Sequence, residues 1–250
     1  MPKRRMSFMN YPRKKTRTIA RRRAPVRRVR FRRRRRNYIP RTITPDSKMI
    51  KMRYAFTAQM NPSSGGTAMI NVKANDLYAP SSGFAGAHQP LGYDQIMALY
   101  ERFCVVGSKI SVAFQCNQSQ TAIVGIALRN STTAESVQDN TAGQTNEGLL
   151  ERNRTKWTYA SPSAEGAPIA RVSQKFGLKK FFHLKSINDN IGNARDEGTA
   201  WGLANASPTQ LAYYNIFAAA FSDYHDIDLT VRVVVEYTAV FQGRKLLLQS

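Results

Sequence analysis

Between residues 229 and 241 the chain alternates without a break. Leu229, Val231, Val233, Val235, Tyr237, Ala239 and Phe241 occupy one set of positions, and Thr230, Arg232, Val234, Glu236, Thr238 and Val240 the other. Successive side chains of an extended strand point to opposite sides, so a period of two creates one continuous apolar face. A helix would scatter the same residues around its circumference. The stretch is therefore a long strand, and the fold must supply a second apolar layer to cover it.

The same period recurs through most of the chain. Ile50, Met52, Tyr54, Phe56, Ala58 and Met60 alternate with Lys51, Arg53, Ala55 and Thr57, and Ala68, Ile70, Val72 and Ala74 alternate with Thr67, Met69, Asn71 and Lys73. The turn-forming run Asn61 to Gly66 between them predicts a local hairpin. Further strands are predicted over 109–116, 122–128, 155–160 with Trp157 and Tyr159, the mixed stretch 169–184, and 214–221, with Lys175, Lys179, Lys180 and Lys185 on or beside the 169–184 strand. Tyr93, Ile96, Met97, Tyr100 and Phe103 fall instead at helical spacing, which predicts a helix over 92–102 whose aromatic stripe is core. Residues 75–91, 161–168 and 188–210 read as Gly-, Pro-, Ser- or Asn-rich loops, 117–120 as a tight turn, and 130–150, with Glu135, Asp139 and Glu147, as an exposed loop. Eight or so strands with one short helix and long loops predict an all-β fold. A single jelly roll, an eight-stranded β-sandwich, fits because its two Greek keys allow long excursions between strands.

The N-terminal part has a different character. Residues 1–41 hold 19 of the 38 Lys and Arg and no Asp or Glu. Self-repulsion and the lack of an apolar face predict a disordered arm that orders only on a polyanion. The nucleic-acid-binding residues are expected to be Arg4, Arg5, Arg13, Lys14, Lys15, Arg17, Arg21, Arg22, Arg23, Arg27, Arg28, Arg30, Arg32, Arg33, Arg34, Arg35, Arg36 and Arg41. Arginine dominates because its planar fork grips phosphate bidentately and stacks on bases. Phe8, Tyr11, Phe31 and Tyr38 are interleaved and could stack on unpaired bases. Short runs such as Lys3 to Arg5 and Arg13 to Arg17 also suit a nuclear localisation signal. The five consecutive arginines from Arg32 to Arg36 interrupt the amphipathic helix that a mitochondrial transit peptide needs.

Pro40 and Pro45 bracket an extended hinge, giving an arm over 1–45 and a folded domain over 46–250. The domain carries nineteen Lys and Arg against sixteen Asp and Glu, a net of +3 where the whole chain has +22. About two hundred residues suffice for one sizeable core. Two cysteines, Cys104 and Cys116, form neither a disulfide framework nor a zinc pattern and read as core residues in a reducing compartment. No apolar run approaches the length of a membrane span, which predicts a soluble, unsecreted protein.

No enzyme constellation is visible. His88, His183 and His225 lack metal-ligand spacing, and no GxSxG, P-loop or HExxH occurs, so no catalytic residue, metal or cofactor is expected. Asp223, Asp226 and Asp228 around His225 could hold a divalent cation but read as solvated turn residues.

Two stretches carry a resemblance: YDQIMALYERFCVVGSKISVAF at 93–114 and DLTVRVVVEYTAVFQGRK at 228–245, behind the Arg-rich arm. Together they resemble the capsid proteins of circular Rep-encoding single-stranded DNA viruses, the circovirus-like group. The resemblance implies a single jelly roll, sixty copies in a T = 1 icosahedral shell, an inward-facing arm on the circular genome, and nuclear import through that arm. The implied partners are the single-stranded DNA genome, other copies of the chain as a homo-oligomer, a host nuclear import receptor and a cell-surface attachment factor. Virion and host nucleus are the implied locations. Sixty such arms would neutralise on the order of a thousand phosphates, the scale of a very small genome. The alternatives are a basic-tailed packaging or ribosomal-type protein acting without a shell, or a capsid enclosing RNA, because phosphate contacts carry no base information.

Overall fold

The structure is a computed structural model and describes residues 45–62, 66–81, 87–117, 121–130, 150–151, 153–162, 169–188, 200–220 and 227–245. The chain divides into two units, Met1–Arg41 and Thr42–Ser250, and the described residues all belong to the second. The expected arm, the acids of the 130–150 loop, and His225 with Asp223 and Asp226 lie outside the described residues.

Nine strands are described: β1 Ser47–Met60, β2 Thr67–Lys73, β3 Tyr100–Cys116, β4 Ala122–Arg129, β5 Thr155–Ala160, β6 Ala170–Gly177, β7 Gly202–Leu203, β8 Tyr213–Ala220 and β9 Leu229–Arg244. The two short helices among them are α1 Tyr93–Met97 and α2 Leu178–Phe181. The strands form two antiparallel sheets, one in the order β1-β9-β3-β6, with β7 added to β3, and the other in the order β2-β8-β4-β5. The pairing is nested. β1 pairs with β9, β2 with β8, β3 with β6 and β4 with β5. Contacts of β9 with β3 and of β8 with β4 then join the four ribbons into two layers. A long antiparallel ribbon folded over on itself gives this nesting, which is the jelly roll.

The sandwich closes over the alternating faces. The seven alternating residues of β9, Leu229, Val231, Val233, Val235, Tyr237, Ala239 and Phe241, are fully buried at 0% exposure. Tyr54, Ile110, Val112, Phe114, Val124, Ile126, Tyr214 and Ile216 join them in one core. A second, smaller cluster of Ile123, Phe217 and Ala219, with Leu150 against it, lies on the other side of the β2-β8-β4-β5 sheet.

Four expectations are corrected. The strand expected over 169–184 ends at Gly177, where α2 begins. β1 and β2 do not form a hairpin, because β1 pairs with β9 along its whole length while β2 crosses to the other sheet and pairs with β8. Each strand has one apolar face, and placing them in opposite layers turns both faces onto the same core. Pro62 marks the crossing, and its carbonyl accepts the Ile227 N–H at 3.2 Å. The helix predicted over 92–102 stops at Met97, and Tyr100 and Phe103 belong to β3. Tyr100 pairs with Arg244 and Phe103 with Phe241, so sheet pairing displaces a helix too short to hold itself. Lys245 closes the helix end, donating its Nζ to the Met97 carbonyl at 2.8 Å. The aromatic stripe is nonetheless core, since Tyr93, Met97, Tyr100 and Phe103 are all buried. Finally, the stretch expected as one loop over 188–210 contains β7 and the buried Trp201.

Candidate nucleic-acid interface

The strand registers align residues into rows across the solvent face of the β1-β9-β3-β6 sheet. Arg53, Glu236, Lys109 and Lys175 stand side by side in one row. Two residues along one way, Lys51 and Thr238 share a row with Gly107 and Gly177. The other way come Ala55, Val234, Ser111 and Ser173, and then Thr57, Arg232, Ala113 and Arg171. These four rows hold six cations and one carboxylate. Among the described residues outside these rows, eleven cations stand against six acids, so this face gathers six of the seventeen described cations around a single acid.

All six cations are exposed. Glu236 is held by Arg53 at 2.7 Å, a surface pair with side chains 70% and 51% exposed and worth little to stability. Lys51, Lys109, Arg171, Lys175 and Arg232 have no ion-pair partner among the described residues. A groove of about 800 Å³ opens between Lys51, Arg53, Lys109, Lys175 and Glu236. Gly107, which carries no side chain, is part of its lining. Lys156 of β5 reaches the margin of the face and donates to the Ser173 carbonyl at 3.1 Å.

A second polar cluster is closed to solvent. Asp76 and Asn75 are fully buried, although they lie in a stretch that reads as a loop. Lys73 Nζ meets Asp76 Oδ2 at 2.9 Å, Ser207 Oγ donates to the same oxygen at 2.5 Å, and the Tyr78 N–H donates to Oδ1 at 2.9 Å. Asn75 bonds the Gln210 carbonyl at 2.8 Å and the Ala212 N–H at 2.9 Å. The buried carboxylate is thus satisfied on both oxygens, and the cluster ties the segment after β2 to the segment before β8.

The remaining sequence candidates take structural places. Cys104 and Cys116 are buried in the core, and burial pushes the Cys104 thiol up to about 12, which keeps it protonated and unreactive. His88 packs against the Tyr54 ring and has the Gln89 and Ala55 carbonyls at 2.9 and 3.1 Å. Asp228 accepts from Asn117 Nδ2 at 3.4 Å. Lys175 belongs to the cationic face, whereas Lys179 and Lys180 lie on α2. No group of three metal-ligating side chains occurs among the described residues, and none of their helices is long and apolar enough to cross a membrane.

Sequence reasoning missed the cationic face. Each of its strands showed cations at the positions opposite its apolar face, but only the register puts those of four strands in one place.

No protein-family model matches this chain, and no curated protein matches it. Among solved structures, the BFDV capsid protein in its 60-mer form is similar at 11% identity and a TM-score of 0.44, over 82% of this chain and 97% of that one. Cucumber Leaf Spot Virus is similar at 10% identity and a TM-score of 0.45, over 81% of this chain and 53% of that one. A semi-empty VLP of the giant freshwater prawn Macrobrachium rosenbergii nodavirus is similar at 6% identity and a TM-score of 0.43, over 83% and 100% of the two chains. The jelly-roll order rests on this chain's own strand pairings.

Proposed function

We propose that this chain is a viral capsid protein. Its copies assemble into a small icosahedral shell, T = 1 with sixty subunits, and package a circular single-stranded DNA genome through the Arg-rich N-terminal arm. Shell and arm act in the virion, and the arm's basic runs also direct the chain to the host nucleus through an import receptor.

One observation carries the reading: a nested jelly roll of low net charge is joined to an arm with 19 cations and no acid. The division suits the two tasks. A domain of low net charge packs against copies of itself without large repulsion, while the arm supplies phosphate contacts that are indifferent to sequence.

Expression of the full chain tests this. Negative-stain microscopy and sedimentation are expected to show closed particles of uniform size, and their nucleic acid is expected to resist nuclease until the shell is opened. Released material degraded by DNase and not by RNase supports the DNA reading, and the reverse would make the shell an RNA capsid. Monomers that bind oligonucleotides but never assemble would overturn the shell.

A further inference from the structure

We infer that the solvent face of the β1-β9-β3-β6 sheet is a second nucleic-acid contact, a cationic trough for the phosphodiester backbone of one DNA strand. It rests on the packaging reading and goes beyond it, because it places a binding site on the folded domain, which that reading treats only as shell.

Two cationic rows flank a low one, and the groove described above opens on the outer side of the first. Arg53, Lys109 and Lys175 form one bank, with Lys51 behind them, and Arg232 and Arg171 form the other. The banks are four residues apart along the strands, about 13 Å at the usual rise. Between them lies the row Ala55, Val234, Ser111 and Ser173, whose short side chains let a backbone approach and whose two hydroxyls can donate to phosphate. Cations in neighbouring strands, such as Lys109 and Lys175, stand about 5 Å apart, so one phosphate can meet two of them.

Charge complementarity selects the occupant. Glu236 engages Arg53, and the other five cations have no ion-pair partner among the described residues. A second copy of this domain offers no acidic excess among its described residues outside the rows, eleven cations against six acids. A nucleic-acid strand offers one phosphate per nucleotide. No aromatic side chain stands in the four rows, so binding there runs through phosphate and reads no bases.

Two measurements on the full chain test the trough. In the first, particles filled with nucleic acid and empty particles of the same protein are acetylated with an amine-reactive reagent and the lysines quantified by mass spectrometry. Lys51, Lys109 and Lys175 are expected to react several-fold more slowly in filled particles, while Lys179 and Lys180 react equally in both. Equal protection of the trough lysines in filled and empty particles would make the face a contact between copies, and equal reactivity would leave it unoccupied. Either result overturns the inference.

The second measurement needs no particle. A variant combining Lys109→Gln, Lys175→Gln, Arg171→Gln and Arg232→Gln is titrated with single-stranded oligo(dT) over a salt series. At about 0.7 per phosphate contact, the log–log salt slope is expected to fall by up to about 2.8 from that of the unaltered chain. An unchanged thermal melt shows that the fold is intact. An unchanged slope with an intact fold would overturn the trough and leave the packaging reading standing, whereas an unaltered chain that bound no oligonucleotide would refute the packaging reading itself.

Discussion

Tyr237, in the middle of β9, donates its hydroxyl hydrogen to the Lys73 carbonyl at the end of β2 at 2.7 Å, so a central strand of one sheet is pinned to an edge strand of the other. Tyr237 is fully buried, and Lys73 begins the closed polar cluster that holds Asp76. The bond thus joins the apolar core to the polar tie between the segments flanking β2 and β8.

Tyr237→Phe removes the donor and keeps the ring, leaving a carbonyl without its partner. A loss of about 1 to 3 kcal/mol is expected, read as a lower urea midpoint with an unchanged slope. An unaltered midpoint would mean that water replaces the hydroxyl at that carbonyl.

Alkaline pH should weaken the domain. Burial pushes the Tyr237 and Tyr214 phenols above their ordinary value of 10.0, and raises Tyr93 as well. Each is neutral when protonated, so the fold favours the protonated form. The stabilisation is present below the unfolded phenol's pKa of about 10 and is lost as pH rises above it. Melting temperature is expected to stay level with respect to these groups up to about pH 9.5 and then to fall. A flat profile beyond pH 11 would contradict the burial of these rings.

Val235→Asp places an unpaired carboxylate at a position with 0% exposure, opposite Tyr54 on β1 and Ile110 on β3. The expected cost is about 3 to 5 kcal/mol, with unfolded or aggregated protein and no assembly. Val234→Thr, one residue along on the solvent face, is expected to change stability by less than about 0.5 kcal/mol. A reversal of these two outcomes in thermal melts would reverse the inside-outside assignment of β9.

How legible the fold was depended on how each strand is buried. β9 and β1 could be read almost residue by residue, because each has one face in the core and one in solvent, and that asymmetry writes a period of two. β4 and β8 are buried on both faces and read as plain apolar runs. Pairing was not legible. Arg53 and Glu236 meet across 183 positions, and the local turn after β1 suggested the nearer partner. The same distance hid the buried acid, since Asp76 is satisfied by Ser207, 131 positions away, and without that contact it reads as a solvated turn residue. The cations of the trough were visible singly, as the residues opposite each apolar face. Their convergence is a property of the register and of no single segment.

The central claim is that one part of the chain builds a shell and the other holds nucleic acid, and deletion of residues 1–41 separates the two. The cut precedes β1, so every described core residue is kept. The measurement is the ratio of nucleic-acid to protein absorbance across particles purified by sedimentation. Truncated chains are expected to melt as the full chain does, and any particles they form are expected to have lost most of their nucleic acid. Truncated particles with the full chain's nucleic-acid content would contradict the account.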